Sequence, residues 1–336
     1  MSPDGRMHCR PYVPRLRECR CGSKGFADFP SQTHPILLSY GSREGRDVTS
    51  IVIAAHNEAR TIGGCLDALL SDGPVGRFEI VVAANGCSDD TVEAAERPGV
   101  VVLDLPQAGK EAALNAAERE VRTFPRVYLD ADCTLSGDDI ARLAATVEHE
   151  VSTGPRPMAA TARRVVDTAG RPFIVRHYYE MLACHPAFRH ALFGRGVVAL
   201  SERGRARFDR FPSVLADDFF LDSLFAAGEK QVVSEVISVV GAPSTVRVLV
   251  RRLARVRRGN REVRRRSEDA VTARRVEGMG WLVDALRATP AIWLSAGVYA
   301  AITAYAVASS RLARVTWGHD QGRLLQRTEV GGSVVA

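Results

Sequence analysis

Arg126-Val127-Tyr128-Leu129-Asp130-Ala131-Asp132-Cys133 is a short apolar run that ends in two carboxylates. The β-branched and aromatic residues in the run predict a buried strand. In open α/β sheets, ligands bind at the carboxyl ends of the strands. Because side chains alternate along an extended segment, we expect Asp130 and Asp132 to face one ligand. Such oxygen donors suit Mg²⁺ or Mn²⁺ completed by substrate phosphates, although an isolated Asp-x-Asp also occurs in solvated turns.

The sequence around this strand repeats a strand-helix unit. Earlier β-branched runs predict strands over residues 50–55, 79–83 and 100–103. Helical spacing of apolar residues predicts that helices follow, starting near Asn57, after an N-cap at Ser88, at Lys110 and after an N-cap at Ser136. Strands that alternate with helices predict an α/β fold with a mostly parallel sheet. Since no Gly-x-Gly-x-x-Gly or Walker loop occurs, metal and side chains would have to hold any phosphates.

Composition places the chain among ordinary globular proteins and suggests three regions. Of 336 residues, 46% are hydrophobic and 25% are charged. Residues 1–46 have little periodicity and are expected to be a disordered extension. Residues 47–245 are expected to form the α/β domain, with a first half over 47–135 and a second half over 136–245. The seven scattered cysteines and the absence of an apolar leader favour a cytoplasmic location, with the inner face of the membrane as a further expectation.

The remaining region, residues 246–336, is expected to be helical and basic. From Arg247 to Arg275 there are twelve arginines and three acidic residues, although the whole chain has a net charge of only +6. This pattern indicates either an anionic partner or a solvated helix face. No aromatic residues are interleaved for base stacking, so no nucleic acid is expected. Pro290–Ala308 is apolar and is expected to be a packing helix first, a membrane-surface helix second and a membrane span third.

Several motifs resemble, in order, those of the family-2 glycosyltransferases, whose nucleotide-sugar-binding domain has the GT-A fold. The matching segments are Ile51 to Glu58, Asn85 to Thr91, Gly109-Lys110 with Asn115, Asp130-Ala131-Asp132, Phe193 to Gly196 and Ala216 to Leu221. Together they extend over about residues 49–260. The resemblance implies a Rossmann-like, mostly parallel sheet flanked by helices. It also implies that residues 47–245 are the GT-A catalytic domain, with a nucleotide-binding half (47–135) and an acceptor half (136–245).

The resemblance also implies roles for residues at the donor end. Asp132 would ligate Mg²⁺ or Mn²⁺, Asp130 would touch the ribose and the metal shell, and Lys110 would reach the nucleotide. Glu58 would contact the base or ribose, and the Asn85 amide would contact a base edge. The other residues expected to bind the donor nucleotide are Ala54, Ala55, Asn57, Asp89 and Ala131.

At the acceptor end, the family places an acidic pair at the start of a helix, which here is Asp217-Asp218. Asp218 would be the general base, with a pKa raised by apolar neighbours and by Asp217. Gly194, Arg195 and Gly196 would form a loop under the sugar or acceptor, and Arg255 or Arg258 would bind diphosphate. Val256 replaces the tryptophan of processive members, so we expect addition of a single sugar.

The expected function is therefore a metal-dependent glycosyltransferase that moves one sugar, with inversion, from a nucleoside-diphosphate sugar to an acceptor hydroxyl. The acceptor would be a sugar, a lipid-linked molecule or a small molecule. A retaining transferase of the same fold and a sugar-phosphate nucleotidyltransferase are alternatives, although the second lacks its glycine-rich phosphate loop here. A non-enzymatic alternative is an Arg-rich protein that binds an anionic polymer on a degenerate fold.

Overall fold

The computed structural model describes residues 48–148, 156–213, 216–266 and 280–312. The predicted extension over residues 1–46 lies outside the described residues. The same is true of residues 267–279 and 313–336 in the basic C-terminal region.

The described residues form a mixed α/β fold around one sheet of seven strands. The strands are β1 Thr49–Ala55, β2 Phe78–Asn85, β3 Val100–Leu105, β4 Arg126–Asp130, β5 Ala159–Asp167, β6 Val197–Leu200 and β7 Lys230–Gly241. Their order in the sheet is β3-β2-β1-β4-β6-β5-β7. β1 to β4 are parallel, as predicted, whereas β6 runs antiparallel to both β4 and β5. The strand order reverses between β1 and β4, which opens a crevice at their carboxyl ends.

Helices cover both faces of this sheet. They are α1 Ile62–Leu70, α2 Thr91–Ala95, α3 Lys110–Glu120, α4 Gly137–Glu148, α5 Phe173–Ala183, α6 Glu202–Arg205, α7 Asp217–Ser223, α8 Val246–Arg266, α9 Gly280–Ala288 and α10 Trp293–Leu312. On one face, α1 and α4 pack their apolar sides against Ile51 and Ile53. On the other face, α3 packs against Val52. Consecutive residues of β1 are thus buried on opposite faces, as its continuous β-branched run predicts.

Two of the predicted helix starts are wrong. α1 begins at Ile62 and not near Asn57, because Asn57 has a left-handed backbone with φ of 55° that no helix continues. α2 begins at Thr91 with Asp90 as its N-cap, because the Ser88 N–H instead donates to Asn57 Oδ1 at 2.8 Å. The predicted Ser136 cap is present, since Ser136 Oγ accepts the Asp139 N–H at 3.1 Å.

The C-terminal helix α10 packs along one side only. Tyr299 stacks on Tyr178 of α5 with ring centroids 5.2 Å apart, and Ser295 Oγ donates to Glu180 at 2.6 Å. The opposite side exposes 69% of Trp293 and 63% of Tyr305. By length and composition, Pro290–Ser309 could cross a membrane, and only 22% of that apolar window is buried. The expected packing helix therefore leaves most of its apolar surface open.

Candidate active site

A cleft of about 370 Å³ lies at the strand-order reversal, where β1 and β4 end. Its polar lining comes from α3, β4 and α7, which bring Lys110, Asp130, Asp217 and Asp218 together. The remaining wall is small or apolar and includes Ala54, Leu114, Tyr128, Leu192, Gly196, Val198 and Leu221. Two motifs that are far apart in the sequence, Asp130-Ala131-Asp132 and Asp217-Asp218, thus contribute carboxylates to one cavity.

Lys110 joins these two motifs. Its Nζ lies 2.8 Å from Asp130 Oδ1 and 3.1 Å from Asp217 Oδ2. Burial would lower the pKa of Lys110, but the two carboxylates outweigh burial and hold that pKa well above its ordinary value. The ammonium therefore stays charged and balances carboxylates at both ends of the cleft.

Asp218 is a carboxylate in an environment that disfavours its charge. Burial, followed by the negative charge of Asp217, raises the pKa of Asp218 to about 6. Asp218 Oδ2 accepts the Gly194 N–H and Oδ1 accepts the Phe219 N–H, each at 2.7 Å. These two bonds fix the carboxylate at the start of α7. The raised pKa that the sequence predicts is thus found together with a rigid geometry.

The Asp130-Ala131-Asp132 segment differs from its prediction in one respect. β4 ends at Asp130, and the chain then turns, with the Cys133 N–H donating to Asp130 O at 3.0 Å. The segment is therefore not extended, and strand alternation does not explain how Asp130 and Asp132 are placed. Ala131 is buried, whereas Asp132 is exposed at the turn.

Residues able to hold a divalent cation are present at this turn. Among the described residues, no three acidic, histidine or cysteine side chains form a ready-made metal site. Asp132 is exposed and Asp130 adjoins it, and both offer the hard oxygen atoms that Mg²⁺ and Mn²⁺ prefer. This donor set fits an ion whose remaining ligands are substrate phosphates and water, and not an all-protein cage.

The Asn85 side chain bonds to neighbouring backbone groups. Its side chain is buried, and Nδ2 donates to Ala55 O at 2.7 Å and to Ala83 O at 3.3 Å. Its Oδ1 accepts the Gly109 N–H at 3.0 Å. Both amide hydrogens are therefore engaged by the backbone, and the expected contact with a base edge stays a prediction. Asn85 instead connects the ends of β1 and β2 to the start of α3.

Asn57, Glu58 and Asp89 also bond between loops. Asn57 Oδ1 accepts the Ser88 N–H, and Asp89 Oδ2 accepts the Ala59 N–H at 3.2 Å. The buried Glu58 accepts the Thr61 hydroxyl at 2.6 Å. None of these three residues lines the cleft. Of the two predicted residues on β1, Ala54 lines the cleft, whereas Ala55 is buried and does not.

The Gly194-Arg195-Gly196 loop supports the cleft through its backbone. Arg195 is only 3% exposed, and its guanidinium donates to Ala191 O at 2.6 Å, to Ala162 O at 2.9 Å and to Phe188 O. Burial lowers the pKa of Arg195 to about 10. The Arg195 side chain thus supports, from behind, the loop that is predicted to lie under the sugar or acceptor.

Gly196 brings this loop against β4. The Asp130 N–H donates to Gly196 O at 2.8 Å. Gly196 has φ of 74°, and a Cβ there would lie 2.1 Å from Cys133 Sγ. No larger residue fits without displacing the turn that carries Asp132.

The remaining predicted residues, Arg255 and Arg258, lie on α8 and are half-buried. They are not among the residues that line the cleft. A residue that the sequence analysis missed is Asp222, which accepts the Leu192 N–H at 2.8 Å and pairs with Lys230 at 2.6 Å. Its spacing of one helical turn from Asp218 is the sequence signal that could have identified it.

Comparisons with known proteins agree with this architecture. Residues 50–181 match the family model "Glycosyl transferase family 2". Glycosyltransferase AglD of Haloferax volcanii is 32% identical over 142 residues, which are 38% of this chain and 22% of AglD. Glycosyltransferase AglE of the same organism is 27% identical over 124 residues, which are 31% of this chain and 41% of AglE. The matches thus cover less than half the length of either relative.

A solved structure has a similar fold. The mannosyltransferase PcManGT from Pyrobaculum calidifontis, in complex with GDP-Man and Mn²⁺, superposes with a TM-score of 0.53 at 19% identity. The superposition covers 81% of this chain and 77% of that one.

The sheet order and the cleft at its reversal define a protein of the GT-A class. Within that class, residues 50–181 of the chain are similar to glycosyltransferase family 2. The family match ends at residue 181, so Asp217 and Asp218 lie beyond it.

Proposed function

We propose that the protein transfers a single sugar, with inversion, from a nucleoside-diphosphate sugar to an acceptor hydroxyl. The observation that carries this proposal is the carboxylate of Asp218, fixed in the cleft by two backbone N–H groups and with its pKa raised to about 6. A base with this pKa is ionised near neutral pH and still basic enough to accept a hydroxyl proton.

In this proposal, the acceptor hydroxyl binds beside Asp218, which takes its proton as the oxygen attacks the sugar carbon. The bond from that carbon to the diphosphate breaks on the opposite side, so the product is inverted. Asp217 holds the charge of Lys110 near the base and keeps the Asp218 pKa raised. The apolar wall at Leu192 and Leu221 limits access of water that would compete with the acceptor.

Donor binding would involve the turn after β4. Asp132 would hold Mg²⁺ or Mn²⁺, with Asp130 at the ribose and the metal shell, and the ion supplies Lewis-acid stabilisation of the departing diphosphate when bound. The PcManGT complex, which contains GDP-Man and Mn²⁺ on a similar fold, supports this assignment. Lys110 is placed to add positive charge at the same point.

The nucleotide base and the second half of the diphosphate are assigned on the family resemblance. Ala54, Ala55, Asn57 and Glu58 would form the base side through backbone and loop shape, since their loops are connected by hydrogen bonds. Arg255 or Arg258 on α8 would approach the diphosphate. Val256, in place of a stacking tryptophan, supports transfer of one sugar and not of a growing polymer.

A membrane surface is the proposed location. The exposed Trp293 and Tyr305 of α10 lie on an apolar helix that packs against the arginine-rich α8. Aromatic and basic residues in this arrangement favour the interface of an anionic, cytoplasmic leaflet. Flotation with vesicles that contain phosphatidylglycerol should recover the wild type and less of a Trp293→Ser variant, whereas equal recovery from neutral vesicles would contradict the charge contribution.

The test of the function is a panel of nucleotide sugars with Mn²⁺ or Mg²⁺ and with chelator, scored by release of nucleoside diphosphate. We expect metal-dependent turnover with one or a few donors. Asp132→Asn should abolish it, while Asp138→Asn, a surface carboxylate paired with Arg77, should not. Full turnover in chelator would contradict the metal assignment. A product that keeps the donor's anomeric configuration would favour a retaining transferase, and release of pyrophosphate would favour a nucleotidyltransferase.

A further inference from the structure

Arg164 on β5 is a cation with an unusual environment. Its Nε is buried and has no hydrogen-bond partner among the described residues. Its guanidinium lies over two aromatic rings, 5.3 Å from the centroid of Phe188 and 5.9 Å from that of Tyr179. The rings fix the plane of the guanidinium but supply no negative charge to balance it.

Two other buried arginines, Arg126 and Arg195, have partners that balance them. Arg126 also has an unpaired Nε, but Glu118 lies 3.4 Å from its Nη1 and 2.8 Å from Arg205 Nε. Arg195 donates to three backbone carbonyls. Of the described carboxylates, none lies within ion-pair distance of Arg164, so no ion pair offsets the cost of burying this cation.

Arg164 adjoins the loop that fixes Asp218. The position that a Cβ on Gly194 would occupy is 3.5 Å from Arg164 Nη1. The Gly194 N–H is the one that donates to Asp218 Oδ2 at 2.7 Å. Arg164 and Asp218 are therefore neighbours of one glycine.

A second arginine increases the positive charge at this point. Burial lowers the pKa of Arg164, and the positive charge of Arg252 on α8 lowers it further, whereas Tyr179, Tyr178 and Asp218 raise it only in part. Arg252 Nη1 contacts Gly241 O at 3.4 Å, so a carbonyl and not a carboxylate is its partner. Arg252 thus adds positive charge to the surroundings of Arg164.

We propose that Arg164, assisted by Arg252, binds a phosphate group carried by the acceptor, so that the acceptor is a phosphorylated molecule whose hydroxyl reaches Asp218. A planar guanidinium held by aromatic rings presents its N–H groups in the fork geometry that phosphate accepts. The phosphate supplies the missing negative charge and orients the hydroxyl. This inference rests on the proposed function, because it names the substrate class of the same cleft.

The test measures phosphate binding and does not need the true acceptor. The full-length protein is saturated with Mg²⁺ and with UDP or GDP, so that the donor site is filled, and is titrated with inorganic phosphate at constant ionic strength. We expect binding that chloride does not reproduce. Arg164→Gln should weaken it about 10-fold, the usual size for loss of a charge-assisted hydrogen bond.

Two further variants make the result specific. Arg163→Gln removes the neighbouring, exposed arginine, which contacts Ser234 O at 3.2 Å, and should bind phosphate as the wild type does. Arg252→Gln lies on α8 and should weaken binding about 3-fold through loss of a more distant charge, even if the Arg164 variant does not fold. If Arg164→Gln binds phosphate as tightly as the wild type does, the proposal is wrong. If Arg164→Gln does not fold, equal phosphate binding by the wild type and Arg252→Gln has the same consequence.

The same titration separates two sources of phosphate. Glycerol 3-phosphate, with glycerol as control, represents a soluble acceptor, and phosphatidylglycerol vesicles, with diacylglycerol as control, represent a lipid. If glycerol 3-phosphate or the phosphatidylglycerol vesicles compete with inorganic phosphate, the phosphate site is supported and its source is identified. If neither competes, the site is not one for an acceptor phosphate. If UDP and GDP fail to bind, the proposed function fails, while a phosphate affinity that depends on Arg164 would still establish the anion site.

Discussion

Polar side chains in the nucleotide-side loops and in the cleft have opposite environments, although both come from the same set of motifs. In the loops, Asn57, Asn85 and Asp89 bond to backbone N–H and carbonyl groups of neighbouring segments. In the cleft, Lys110 and Asp218 line the cavity and have altered pKa values, although Asp218 also accepts two backbone N–H groups. The loop motifs therefore shape the site, whereas the side chains that line the cleft can take part in the reaction.

The largest expected effect that tests this comparison is in the cleft. Asp218→Asn should lower the transfer rate by about 10³-fold, because an amide accepts no proton and general bases typically contribute 10²–10⁴-fold. Donor affinity, measured by calorimetry with the donor and Mn²⁺, should remain within about 2-fold since Asp218 lies on the acceptor side. A variant that transfers sugar at the wild-type rate would remove Asp218 from the role of base.

A smaller effect is expected from the loops, and on stability. Asn85→Ala should lower the free energy of unfolding by about 2–3 kcal/mol, because the half-buried Gly109 N–H and the buried Ala55 carbonyl lose a partner. Urea denaturation measures this, with Asp104→Ala on the exposed edge strand β3 as the control. If the variant keeps its stability but loses much of its affinity for the donor, Asn85 contacts the base. The proposed difference between loop and cleft residues would then be wrong.

The smallest expected effect is at Asn57, where backbone strain and a hydrogen bond can be separated. Asn57→Ala should cost about 1–2 kcal/mol of stability, since it loses the bond to the Ser88 N–H and places alanine at φ of 55°. Asn57→Gly loses the same bond but tolerates the left-handed backbone, so it should cost less. If glycine is the more destabilising of the two, the backbone conformation is not what asparagine supports here.

Much of the fold follows from the sequence because it depends on periodicity. The β-branched run of β1 and the alternation of strands and helices predict a parallel sheet covered on both faces, and that sheet is present. The start of α1 does not follow, because the left-handed conformation of Asn57 depends on the loop opposite it, whose Ser88 N–H its side chain binds.

The site is predictable in its motifs but not in the direction of each side chain. Spacing brings Asp130 and Asp218 into one cleft through the order of the strands, yet it does not tell whether Asn85 or Arg195 turns towards a ligand or towards the backbone. Arg163 and Arg164 are adjacent in the sequence and look equivalent there. Only packing distinguishes the exposed one from the one held against Tyr179 and Phe188.

The pH dependence of kcat/KM at saturating metal ion tests the central claim most directly, namely that a carboxylate with a raised pKa is the base. The pKa of Asp218 is raised from its ordinary value of 3.8 to about 6, and the base must be ionised to act. We expect kcat/KM to be constant above about pH 7 and to fall about 10-fold per pH unit below about pH 6. A rate that stays constant down to about pH 4.5 would contradict it, because a base with this pKa would by then be almost fully protonated.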